Sequence, residues 1–259
     1  MRVLIIAPTN FQSYATTILV KLIEDPNIEV VGVLIHKFTF RRIKNEFKRD
    51  GKRIFTKVFN KAILSEKKSL NYSFQTPKKI LENFGIKADL KEICKEHNLY
   101  FKEVSLFNSS KLSKELSELK LDIGAFCGGG LLRDNFLNSF SFGVLNCHMG
   151  ILPHYRGMDV VEWPFLENDK FNVGVTCHLM DKGIDTGDIL EIVKVNPVKF
   201  HNFTELREYL SGVMYDLMLK NIASISLGDF EKSKQLESDG KQYFVMHPLL
   251  KKIAIKKYN

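Results

Sequence analysis

Long apolar runs are missing from this chain: none approaches the roughly 20 residues that span a bilayer. The opening run Val3–Ala7 is only five residues long before Pro8, Thr9 and Asn10, too short for the core of a signal peptide. The sequence therefore reads as soluble, unexported and cytoplasmic. Cysteine is scarce, with Cys94, Cys127, Cys147 and Cys177 and no C-x-x-C spacing. Thiols scattered over strands in a reducing compartment are expected to be buried and reduced. The Cys147-His148 and Cys177-His178 pairs invite a zinc reading, but neighbouring side chains on a strand point to opposite faces, so no metal is expected. Two nucleotide signatures are also absent. The turn after the first strand reads APTNFQS rather than G-x-G-x-x-G, and no G-x-x-x-x-G-K-[ST] occurs. Dinucleotide redox chemistry and P-loop phosphotransfer lose their support. No Ser or Cys stands in a nucleophile motif, which disfavours an acyl-enzyme.

What is present is an alternation of strand and helix patterns over 259 residues, 44% hydrophobic and with a net charge of +8. Strands are expected at Val3–Ala7, Ile28–Ile35, Tyr100–Val104, Leu121–Cys127, Gly143–His148, Val173–Met180 and Ile189–Val195. Helices are expected at Phe11–Glu24, Ala88–His97, Ser109–Leu119 and Thr204–Ile225. In the first of these, Ile18, Leu19, Leu22 and Ile23 share a face, and Asp25-Pro26-Asn27 ends it. The pattern is that of an α/β protein with a parallel sheet and crossover helices. No internal repeat or low-complexity linker is visible.

Basicity concentrates in one segment. Residues 37–68 hold twelve Lys or Arg against Glu46, Asp50 and Glu66, an excess of nine. Phe40, Ile43 and Phe47, then Phe55, Val58 and Phe59, recur at helical spacing. A helical insertion over about 37–70, packed on the core with a solvated basic face, accounts for this pattern. Attraction to an anionic substrate such as a nucleotide diphosphate, involving Arg41, Arg42, Lys44, Lys48 and Lys52, or to a membrane surface, is the functional alternative.

The chemistry points to residues 142–190. In FGVLNCHMGILPHYRG, strand alternation puts Asn146 and His148 on one face, and the Gly150–Pro153 turn leaves them at the strand's carboxyl end. Open α/β sheets put their active sites there. About thirty residues on, GVTCHLMDKGIDTGDIL puts Thr176 and His178 on one face and Asp185 in a loop between Gly183 and Gly187. An amide, an imidazole and a carboxylate in one cleft suit acyl transfer to an amine. The imidazole accepts a proton near neutral pH, the amide donates to an oxyanion, and the carboxylate orients the imidazole or stabilises its charged form.

Together, N-x-H-x-G-x-L-P-x-Y-R-G and H-x-x-D-x-G-x-D-x-G-D-I resemble the folate-dependent formyltransferases. These transfer a formyl group from N10-formyltetrahydrofolate to glycinamide ribonucleotide, methionyl-tRNA or nucleotide-linked amino sugars. The resemblance spans about residues 1–200 and is densest over 121–190. It implies a Rossmann-like formyltransferase fold, with a parallel or mixed sheet and flanking helices. It also implies a catalytic domain over 1–200 and a short C-terminal helix and tail, with some strand, over 201–259. By the same resemblance, Asn146, His148 and Asp185 are the catalytic amide, imidazole and aspartate. Gly128, Gly129, Gly130, Leu131 and Leu132 form the loop whose backbone holds the pterin. His178 lies next to the folate pocket, with Asp181 at a commonly polar flanking position. Tyr155, Arg156 and Gly157 form the turn beside the acceptor. Pro164, in the helix expected after that turn, departs from the pattern and threatens a kink.

The residues after position 200 bear on the acceptor. Methionyl-tRNA formyltransferases normally add a C-terminal β-barrel that grips tRNA, whereas 59 residues remain here. Glycinamide ribonucleotide enzymes lack both the insertion and the GKQYFVMHPLL tail. The chain most resembles nucleotide-sugar N-formyltransferases of surface-polysaccharide synthesis, in which the amine attacks the formyl carbon directly through a tetrahedral intermediate; a homodimer is possible. The rivals are the tRNA and glycinamide ribonucleotide activities, a formyltetrahydrofolate hydrolase, and a silent scaffold on the same fold. Hydrolases usually carry an N-terminal regulatory domain, and a silent scaffold has no chemical need for the triad.

Overall fold

Alternation along β1 (Arg2–Ala7) sets the layering of the sheet. Val3, Ile5 and Ala7 enter one core with Ala15, Ile18, Leu19 and Leu22 of α1 (Ser13–Ile23). Leu4 and Ile6 enter a second core on the opposite face. A strand buried on both faces reads as an unbroken apolar run, which is how this one reads. The structure is a computed structural model and describes residues 1–37 and 74–258. The basic segment 37–68, apart from Lys37, therefore lies outside the described residues.

After β2 (Glu29–His36) come α2 (Pro77–Asn83), α3 (Leu90–Glu96), β3 (Tyr100–Val104), α4 (Ser110–Glu118), β4 (Leu121–Phe126) and α5 (Asp134–Leu137). Next in the chain are β5 (Phe140–His148), β6 (Tyr155–Gly157), α6 (Trp163–Leu166), β7 (Gly174–Leu179), β8 (Ile189–Lys194), α7 (Phe203–Leu227), β9 (Lys241–Tyr243) and α8 (Pro248–Tyr258). Seven strands form one sheet in the order β3-β2-β1-β4-β5-β7-β8. The order reverses between β1 and β4, the switch point at which such sheets open a crevice.

The sheet is mixed rather than wholly parallel, since β7 runs antiparallel to β5 and β8 antiparallel to β7. The physical reason is in the connections. The β5-to-β7 segment carries only the four residues of α6 as helix, not a sheet-length crossover, and the 180–188 turn reverses the chain directly. Besides the four-residue α5, two helices escape the periodicity reading. The first, α2, is capped by the Thr76 hydroxyl, which accepts from Lys79 N at 3.2 Å, and starts on Pro77; the second is α8. Pro164 causes no kink: it falls in the first turn of α6, where the missing N–H costs nothing.

The long α7 is capped by Asn202, which accepts from Glu205 N at 2.9 Å, and ends on Gly228 at φ +72°. It lays Leu206, Leu210, Leu217, Met218 and Ile222 into the same core as Leu145 and Cys147 of β5 and Cys177 of β7. The chain then turns back, and β9 pairs in parallel with β6. Behind this, Glu162 is 1% exposed and ion-paired with Arg207 of α7 and with Lys251 of α8 at 2.9 Å. Burial opposes its ionisation, and the two cations outweigh that and hold its pKa below the ordinary value. Among the described residues no helix is long and apolar enough to cross a membrane.

Candidate active site

The strand reading of the centre is met residue by residue. Asn146 lies directly opposite His178, and His148 opposite Thr176, in the β5–β7 ladder. All four therefore project from one face at the carboxyl end of β5. Cys147 and Cys177, on the alternate positions, lie in the core beneath, so each Cys-His pair is split between faces.

Hydrogen bonding assigns the protons. A carbonyl only accepts, so His148 Nε2 donates to Tyr155 O at 2.9 Å, and Nδ1 is the lone-pair nitrogen of the neutral ring. Nδ1 lies 3.5 Å from Asp185 Oδ2. His178 Nδ1 donates to Leu179 O at 2.9 Å, which leaves its Nε2 to accept from Asn146 Nδ2 at 3.1 Å. That contact fixes which end of the Asn146 amide carries hydrogens, and it leaves the second N–H of the amide for another acceptor. Asp185 Oδ1 lies 3.6 Å from His178 Nε2, and Gly157 N donates to Asp185 Oδ2 at 2.8 Å.

The electrostatics follow from burial. The His148 side chain is 9% exposed and that of Asp185 15%. Desolvation lowers the His148 pKa below the ordinary imidazole value, with Asp185 pulling in the opposite sense. Desolvation works against the Asp185 anion, but His148, His178 and the Gly157 amide outweigh it and bring its carboxyl down to about 2. Near pH 7 the site thus holds a neutral base beside a committed anion.

Backbone geometry explains the residues around Asp185. Its own φ is +54°, a sparsely populated region for a non-glycine residue. At Gly187 a Cβ would sit 1.9 Å from Leu179 O, so the loop returns to β7 only with glycine there. Asp181 closes the same loop, its Oδ1 accepting from Gly183 N at 2.9 Å and Thr186 Oγ1 at 2.7 Å. Thr176, fully buried, donates to Gly150 O at 2.7 Å and accepts from Leu152 N at 3.1 Å, which pins the turn after β5.

Across the crevice, Gly128, Gly129 and Gly130 have φ of +112°, +135° and +119°. A Cβ on Gly129 would stand 2.9 Å from the Phe107 ring, while Gly130 has open space around it. Leu131 is half-exposed and Leu132 is buried in the core. Two supports of this loop escape the sequence reading. Gln12 Nε2 donates to Cys127 O at 2.9 Å, and His36 Nδ1 lies 3.1 Å from Gly129 O. His36 is the last residue of β2 and Gln12 the N-cap of α1, just beyond the turn after β1, so both follow strand ends where a polar residue could have flagged them. Gln12 Oε1 is buried with no partner among the described residues. Arg133 Nη1 donates to Lys182 O at 3.1 Å and so bridges the glycine loop to the Asp185 loop.

The Tyr155–Gly157 strand serves through its backbone: the Tyr155 carbonyl holds His148 and the Gly157 amide holds Asp185. The Tyr155 side chain is buried, stacks on Tyr243 and donates to Asp169 Oδ2 at 2.8 Å. Arg156 is also buried, with its guanidinium on Leu236 O at 2.8 Å.

Comparison with known proteins sets these features in context. A family model described as formyl transferase matches residues 71–208. A methionyl-tRNA formyltransferase from Clostridium acetobutylicum is 27% identical over 188 residues, covering 65% of this chain and 60% of that one. The chain spans about half the length of the curated relatives it matches. Among solved structures, a sugar N-formyltransferase from a Shewanella species superposes with a TM-score of 0.58 at 15% identity, covering 100% of this chain and 87% of that one. A phosphoribosylglycinamide formyltransferase from Bacillus halodurans gives 0.56 at 19% identity, covering 86% and 96%. At such identities these structures speak for a shared fold.

Proposed function

The chain belongs to the formyl transferase family, and from that premise we propose that it moves a formyl group from N10-formyltetrahydrofolate to the primary amine of a nucleotide-linked amino sugar. The observation that carries the reading is the convergence of Asn146, His148 and Asp185 at one strand end. Formyltetrahydrofolate brings an activated formyl carbon that the amine attacks directly. His148 takes the proton of the attacking amine at Nδ1, the nitrogen left unprotonated by the Tyr155 contact, and returns it to N10 of the folate as the bond between that nitrogen and the formyl carbon breaks. Asp185, ionised and 3.5 Å away, stabilises the imidazolium that results. The second N–H of Asn146 donates to the oxygen on which charge develops, and His178 holds that amide in its donating orientation. The residues suit a folate. Glycine backbone approaches a flat heterocycle without a Cβ in the way, and the orphaned Gln12 Oε1 beside it is an acceptor for a ring N–H. Asp181 enters this reading as the residue that shapes the pocket loop, and Tyr155, Arg156 and Gly157 as the wall of the acceptor side.

The sugar acceptor draws support from the likeness to sugar N-formyltransferases over nearly the whole chain and to an N-formyltransferase from Helicobacter canadensis solved with folinic acid and dTDP-3-aminofucose. Methionyl-tRNA is the second reading, favoured by the sequence relatives. Tetrahydrofolate release, measured with a panel of nucleotide-linked amino sugars, methionyl-tRNA, glycinamide ribonucleotide and no acceptor, tests both. Release with an amino sugar and with nothing else is the expected result. Release only with tRNA or glycinamide ribonucleotide moves the acceptor, release without acceptor makes the protein a hydrolase, and none under any condition leaves a silent scaffold.

A further inference from the structure

The region after α7 lies outside the matched family segment, yet it reaches the site. Ser233 and Ile189 exchange backbone hydrogen bonds of 2.8 Å in both directions, which lays residues 232–236 alongside the start of β8. Two residues on, the Gln235 amide enters the gap between the Asp185 loop and β6. Its Nε2 donates to Gly187 O at 2.5 Å and Asp185 O at 3.2 Å, and its Oε1 accepts from Arg156 Nε and Nη2, each at 3.4 Å. A primary amide has two N–H donors and two acceptor lone pairs. All four are spent between the catalytic loop and the strand whose next residue, Gly157, donates to the Asp185 carboxylate.

We propose that Gln235 is a positioning residue for Asp185: it holds the backbone of the aspartate loop against β6 and thereby keeps the carboxylate facing His148. The inference rests on His148 and Asp185 being the catalytic pair of the proposed transferase. Asp185 sits at φ +54°, and a non-glycine residue stays in that region only where its surroundings over-determine it. The side-chain bond from Gly157 fixes one end of the carboxylate. The two carbonyls flanking Thr186 are held by Gln235 and, among the described residues, by no other side chain. Fixing both the carboxylate and its backbone is what a 3.5 Å separation from a buried imidazole requires, since misplacement of a reacting group by about 1 Å can cost 10²-fold in rate.

Gln235→Glu is the informative change. It keeps size and an acceptor for buried Arg156, but replaces both donors to the loop by an anion facing two carbonyls. Imidazole NMR titration of His148 in the intact protein reads the consequence without any substrate. Asp185 supports the charged ring, so with the loop released His148 is expected to titrate at lower pH than in the wild type. Gln235→Leu is expected to move it in the same direction. Lys232→Gln, which removes only the 3.3 Å ion pair to Asp188 on the same segment, is the control and should leave the titration in place. In turnover, kcat should fall by roughly 10- to 100-fold with the folate KM little changed. A His148 titration unmoved in both Gln235 variants, with the fold retained by circular dichroism, overturns the proposal. Should the wild type release no tetrahydrofolate with any acceptor, the transferase reading falls, while the titration still decides whether Gln235 holds Asp185.

Discussion

Replacing Asp185 by Asn removes one negative charge while leaving an oxygen for the Gly157 amide. The effect on rate can be worked from the geometry. Two unit charges at the 3.5 Å separating His148 Nδ1 from Asp185 Oδ2 attract by about 5 kcal/mol at an effective dielectric constant near 20. That attraction exists only to the extent that His148 carries the proton. If half a proton has been transferred in the transition state, about 2.5 kcal/mol is lost, or roughly 50- to 100-fold in kcat. The folate KM should stay near the wild-type value because the glycine loop is untouched. The acid limb of the rate profile should move as well. The base must be neutral, Asp185 raises its pKa, and without that anion the limb shifts to lower pH. Steady-state tetrahydrofolate release across pH, on the acceptor identified by the panel, gives both quantities. A kcat within threefold of wild type, or an acid limb that stays in place, would refute the assigned role of Asp185.

Other changes separate the remaining roles. His148→Ala should cost about 10²–10⁴ in rate and Asn146→Ala about 10²–10³, read in the same assay with the fold checked by circular dichroism. Gly129→Ala forces a Cβ to 2.9 Å from Phe107 at φ +135°; a strain of about 1.4 kcal/mol would raise the folate KM about tenfold with the His148 titration unchanged. Glu162→Gln leaves Arg207 and Lys251 without their shared anion and should cost about 3 kcal/mol in a urea titration. Acidification should destabilise the protein in two stages. The folded His148 pKa lies below the ordinary 6.5, so its contribution drains away from about pH 6.5 downward. Asp185 falls from 3.8 to about 2, so its share persists above about pH 4 and disappears towards pH 2. Urea midpoints at stepped pH, with His148→Gln flattening the upper stage, check this order.

Period-2 alternation makes the centre legible in the sequence. Asn146 with His148, and Thr176 with His178, each share a face because strand geometry allows nothing else, and the structure adds only that the two pairs lie opposite each other in register. The direction of β7 is harder to read, since an apolar strand carries no mark of polarity and only its connections decide it. The role of Arg156 is equally hidden. The resemblance puts it in the turn beside the acceptor, whereas its burial depends on residues 235 and 236, some 80 positions away. β9 is three residues long with two exposed positions, too brief to leave a periodic signal. Helix α2 does announce itself, in Thr76 and Pro77, but at seven residues it is too short for a sustained amphipathic pattern.

The late return of the chain to β6 has a bearing on how the protein is made. A nascent chain that has left the ribosome as far as Gly228 already contains Asn146, His148 and Asp185, and α7 can cover the back of the sheet. It still lacks Gln235, the Ser233 pairing with Ile189, and the Tyr243 ring that stacks on Tyr155. Residues synthesised after the groups assigned to the reaction thus complete the support of the Asp185 loop, and a translation product ending at Gly228 should turn over at least the roughly 10- to 100-fold more slowly expected for the loss of Gln235, with Met246 and Ala254 also missing from its core.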